Sequence, residues 1–108
     1  MIIFKTIAVS LVFALGAYAA APRHKVMLLT GQSSKYHDWT KCAPMVKAHL
    51  DQAGIFAVDV VTSPPRGADM SGFRPKFSDC AAVVVVYEGD EWPAATKAAL
   101  VDYMKNGG

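Results

Sequence analysis

Ala81-Ala-Val-Val-Val-Val-Tyr87 constrains this chain more than any other stretch. Four successive β-branched side chains disfavour a helix and suit a pleated strand. The run has no charge and no polar alternation, so it cannot be a strand with one face in water. It is expected at the centre of a sheet covered on both faces. Glu88-Gly89-Asp90 ends it. Such a sheet needs helices above and below, and 108 residues leave room for a single domain.

The rest of the chain supplies matching elements. Lys25–Thr30 (KVMLLT) is a second apolar run without alternation, closed by Gly31, and reads as the first strand. Phe56–Thr62 (FAVDVVT) is β-branched and is stopped by Ser63-Pro64-Pro65, which cannot continue a ladder. Between them, Thr40–Ala53 sets Val46, Leu50 and Ala53 on one helical face, with Pro44 placed in the first turn and Gly54 as the stop. Pro93–Asn106 places Thr96, Leu100 and Tyr103 on one stripe, with Pro93 in the first turn and Asn106-Gly107-Gly108 as the cap. Arg66–Asp79 shows little periodicity and reads as an irregular crossover with one short helical turn near Met70–Phe73. Strand, helix, strand, crossover, strand, helix is the pattern of a parallel α/β sheet with right-handed connections, here three strands in the order 2-1-3 with flanking helices.

Residues 1–19 do not fit that pattern. Lys5, the apolar run Ile7–Leu15 and the small residues of Ala17-Tyr18-Ala19 have the layout of a secretory signal peptide, cleaved after about Ala19, with residues 20–24 as a short linker. An uncleaved anchor is the rival reading, but the run is short for the ~20 residues of a bilayer span. The expected product is secreted or periplasmic, without a stable membrane anchor. The 53% hydrophobic content is raised by this segment, and the net charge of +2 falls to +1 once Lys5 is removed. No basic cluster marks a nucleic-acid partner. Export would permit a disulfide, but the spacing of Cys42 and Cys80 gives no C-x-x-C motif, and both are expected to be free, buried thiols. Met27, Met45, Met70 and Met104 are expected as core filler, and His24 and His49 as surface or helix residues.

KVMLLTGQ, YHDW, VDVVTSPP followed by GADMSGF, and YEGDEWP leading to the final KNGG together resemble the ThuA-like family, named for trehalose utilisation. The resemblance covers residues 25–108. It implies an amidotransferase-like, flavodoxin-like three-layer α/β fold, and a sugar or sugar derivative as the ligand class. Family members are expected to be more than twice this mature length, so the chain reads as the N-terminal part of such a domain, with the remainder of the domain as its structural partner. The fold does not bring the amidotransferase reaction with it. Neither Cys42, in a helix, nor Cys80, before a strand, sits on the turn after a strand that a nucleophile needs.

In a parallel sheet of this order, ligands lie beyond the carboxyl ends of the first and third strands. The loops there carry Gln32, Tyr36, His37, Asp38 and Trp39 on one side and Glu88, Asp90, Glu91 and Trp92 on the other. Aromatic faces beside carboxylates and an amide suit a small carbohydrate-like ligand. His37 with neighbouring carboxylates equally suits acid/base chemistry. The structural readings stand beside these: Asp38 or Thr40 as an N-cap, Asp90 and Glu91 at the positive end of the last helix, both Trp as packing residues. Gly31 and Gly89 turn the chain at strand ends without a phosphate-binding motif. No cofactor is expected, and no metal, since one His beside one Asp lacks the spacing of a dedicated site. Binding or processing of a sugar is the leading expectation. A non-catalytic module, or a fragment without function, is the alternative.

Overall fold

A computed structural model describes residues 23–108; the proposed signal peptide lies outside them. Three strands, β1 (His24–Thr30), β2 (Phe56–Thr62) and β3 (Ala82–Val85), form one parallel sheet in the order β2-β1-β3. Helix α1 (Trp39–Gln52) joins β1 to β2, and α2 (Ala94–Lys105) follows β3. The parallel three-stranded α/β architecture expected from the sequence is the one observed. Registers are regular, with Leu28 opposite Val60 on one side and Val84 on the other.

The central strand is β1. Val26, Met27, Leu28 and Leu29 are buried, as a strand covered on both faces must be. Side chains alternate across the sheet, so Met27 and Leu29 share one face with Val83 and Val61. There they meet Phe73 and Phe77, carried by the crossover, and Leu100 and Tyr103 from α2. Burying each of those phenyl rings is worth roughly 1.5–3 kcal/mol, which is what ties an otherwise irregular crossover to the sheet. The expected turn at Met70–Phe73 is present, closed by Phe73 N–H to the Met70 carbonyl at 3.0 Å, and a short 3-10 turn follows at Phe77–Asp79. Thr96, fully buried, donates its hydroxyl to the Phe73 carbonyl at 2.6 Å, and Tyr103 donates to the Cys80 carbonyl at 3.1 Å. Helix α1 covers β1 and β2 with Ala43 buried and Val46 and Leu50 half-buried.

Several local expectations are corrected. The valine run yields a strand of four residues only, and among the described residues β3 pairs with β1 alone, so Val85 stays 48% exposed instead of lying at the sheet centre. Helix α1 starts one residue earlier than expected because Asp38 caps it, and Pro44 falls inside the helix instead of in its first turn, with its ring exposed. A proline there has no N–H to offer the Thr40 carbonyl. Ala53 is the exposed C-cap, outside the packed face. Met45 and Met104 are exposed on helix surfaces; among the described methionines only Met27 is buried, and Met70 is half-buried. Cys42 and Cys80 are free, but half-buried instead of buried, one near the start of α1 and the other ahead of β3.

Candidate functional site

Parallel strands deliver all their following loops to one edge of the sheet. Three loops meet here: Gly31–Asp38 after β1, Ser63–Gly67 after β2 and Val86–Pro93 after β3. At Gly31 the backbone has φ +131°, and a Cβ would lie 2.5 Å from the Ser63 backbone nitrogen, so only glycine lets the first two loops touch. Gly89 lies against the Gln32 side chain, leaving no room for a Cβ of its own.

Gln32 is 3% exposed and is the hub of the three loops. Its Nε2 donates to the Pro64 carbonyl at 2.9 Å and to Asp90 Oδ2 at 3.4 Å, and its Oε1 accepts the Asp90 N–H at 2.8 Å. Its backbone carbonyl accepts the Glu88 N–H at 3.1 Å. Asp90 returns the favour to the second loop: Oδ2 accepts the Gly67 N–H at 2.7 Å, and Oδ1 faces the Arg66 guanidinium at 3.6 Å. Arg66 in turn donates from Nη2 to the carbonyls of Ser33 and Glu88, each at 3.2 Å. Tyr87 donates its hydroxyl to the Asp90 carbonyl at 2.6 Å. Burial, then the Asp90 charge, pushes the Tyr87 phenol up from its ordinary range.

Beside this network lies a cleft of about 270 Å³. Ser33, His37, Trp39 and Cys42 line one wall; Val85, Tyr87 and Glu88 line the other. Of the residues singled out from the sequence, Gln32, His37, Trp39 and Glu88 are brought together there. Tyr36 is 76% exposed, its ring covered by Lys35 Nζ at 4.9 Å, and does not line the cleft. Asp38 caps α1: Oδ1 accepts the Thr40 N–H at 3.0 Å and the Thr40 hydroxyl at 2.6 Å, which, with Lys41 nearby, holds its carboxyl below the ordinary value. Trp92 faces the core, its ring 6.0 Å edge-on from Phe73 and 5.5 Å from Tyr87. Glu91 pairs with Lys97 on the first turn of α2, and that contact lowers its pKa.

Tyr87 and Cys42, which line the cleft, and Arg66, in the network beside it, are not among the residues singled out from the sequence. The signal for Arg66 was available, because Ser63-Pro64-Pro65 ends a strand and so places the next residues at the same edge. Cys42 was not legible, since it depends on which side of α1 turns toward the loop after β3. A larger groove of about 560 Å³ lies at the opposite end of the sheet, between Phe77, Cys80 and Tyr103 and the C-terminal turn of α2. Among the described residues, no three His, Cys, Asp or Glu side chains gather to hold a metal, and no helix is long and apolar enough to cross a membrane.

A ThuA-like protein of known structure from Parabacteroides merdae superposes on this chain with a TM-score of 0.76 and 42% sequence identity. The match covers 80% of this chain. Over that span the chain is ThuA-like. It spans 30% of the length of the Parabacteroides ThuA-like protein, so most of that relative lies outside the match. No family model and no curated protein matches the chain. The parallel β2-β1-β3 sheet with its two helices is consistent with the fold of that ThuA-like protein.

Proposed function

We propose that this ThuA-like chain supplies one wall of a cleft for a carbohydrate-like small molecule, in a secreted or periplasmic protein. The observation that carries the reading is the cleft between the loops after β1 and β3, where the half-buried Trp39 ring lies with Ser33, His37 and Glu88. A sugar ring stacks its C–H face on an aromatic plane and directs its hydroxyls to such acceptors and donors. Gln32, Asp90 and the Tyr87 hydroxyl spend their polar atoms on the protein itself, which leaves ligand contact to His37, Trp39, Glu88 and the ring of Tyr87. A volume of about 270 Å³ falls just under the ~300 Å³ lower end of small-molecule pockets, in keeping with a single ring or with one wall of a wider site. The signal-peptide pattern of residues 1–19 supports export.

The open edge of β3, with Val85 exposed, supports a second part of the same reading: the remainder of a ThuA-like domain packs there as the structural partner. The cleft is tested by following tryptophan fluorescence during titration with a panel of mono- and disaccharides. Saturable quenching is expected, lost in Trp39→Phe and weakened in His37→Ala and Glu88→Gln. Equal responses in all four proteins would overturn the assignment. Mass determination of the exported product checks cleavage after about Ala19.

A further inference from the structure

The contacts of Arg66 are unusual for a residue whose side chain is 56% exposed. One nitrogen, Nη2, reaches the carbonyls of Ser33 and Glu88, and both of those residues line the cleft from opposite walls. The other terminal nitrogen faces Asp90 Oδ1, while Asp90 Oδ2 is held by Gly67 N–H and Gln32. A planar guanidinium can satisfy all three acceptors at once; an ammonium presents a point charge and cannot span them. The Gln32 side chain also ties the loop after β1 to Asp90, from inside the network, whereas Arg66 reaches both walls from a third loop.

We propose that Arg66 is a positioning residue: held by Asp90, it clasps the loops after β1 and β3 and sets the width of the cleft between them. It comes from the loop after β2, which itself contributes no lining residue. The consequence for binding rests on the cleft being the ligand site, but the clasp can be tested without any ligand, so either reading can fail alone.

Cys42 lines the cleft and Cys80 lies in the groove at the opposite end of the sheet, which makes the second thiol an internal control. The full chain is alkylated with iodoacetamide under native conditions, and each thiol is quantified by peptide mapping in the same sample. In Arg66→Met the rate at Cys42 should rise about fivefold, the factor that one net hydrogen bond makes in a local opening equilibrium, with Cys80 unchanged. Arg66→Lys should behave like Arg66→Met, and Asp90→Asn should lie between these variants and the wild type. Three results would overturn the clasp: an unchanged Cys42 rate in Arg66→Met, a parallel rise at both thiols, which marks general loosening, or full restoration by Lys, which marks charge alone.

Discussion

Beneath α2, Leu29 is fully buried and Phe77 is 2% exposed, and they are held by apolar contact. At the carboxyl ends of the strands, Gln32 is as buried, at 3%, but is held by hydrogen bonds to two other loops. The first region tolerates imprecise geometry, because burial of apolar area has no direction. The second does not, since each bond needs its partner at a fixed distance and angle. That is why the layer under α2 secures the fold whereas the loop network can fix the shape of a cleft.

The comparison breaks first at the apolar layer. Leu29→Ala should cost about 2–5 kcal/mol, since the fully packed central strand cannot close the cavity. A smaller loss, about 1–3 kcal/mol in all, is expected at the loops: Gln32→Leu leaves the Pro64 carbonyl and the Asp90 N–H without their partner, but both residues are half-buried and water can take its place. Calorimetry should show a lower Tm for both, but the Gln32 variant should keep its near-ultraviolet aromatic signal. A melt of Gln32→Leu equal to wild type would mean that the network contributes nothing to stability.

Thr30 sharpens the contrast in the other direction. Its hydroxyl is buried without a partner at the end of the central strand, a polar atom with none of the bonds that Gln32 enjoys. Thr30→Val keeps the shape, and should raise stability by ~1 kcal/mol, seen as a higher Tm. A lower Tm would show that the hydroxyl is satisfied after all.

The smallest effect belongs to Asp38, where the cap of α1 is solvent-exposed. Its folded pKa lies below the ordinary 3.8, chiefly through the Thr40 hydroxyl. A depressed carboxylate pKa stabilises the fold above the unfolded value and is lost as pH falls through the folded one. Asp38→Ala should therefore lower Tm slightly at neutral pH, and the gap should close in acid below pH 3.8. A gap independent of pH would remove the charge from the explanation.

Much of this was legible in the residues. Val26–Leu29 announced a covered strand and the valine run a strand, and Gly54 and Gly107 marked helix ends with positive φ, as expected of C-terminal glycines. The length of β3 was not legible, because four valines state a preference while the strand lasts only as long as its ladder to Val26–Leu29 of β1. Nor was the split between the two tryptophans. Trp39 and Trp92 sit in similar polar company in sequence, but one lines the cleft and the other packs on Phe73.

The sequence by itself determined the parallel α/β class, the two helices and the edge of the sheet at which polar residues collect, because periodicity, turn residues and capping are local properties. Tertiary structure alone decided that Gln32 and Asp90 turn inward, and that Arg66 from a third loop joins the walls. Those assignments depend on which atoms meet across 32 or 58 residues of chain, as from Gln32 to Pro64 and to Asp90, and hydrogen bonds of that reach exist only once the sheet has aligned its strand ends.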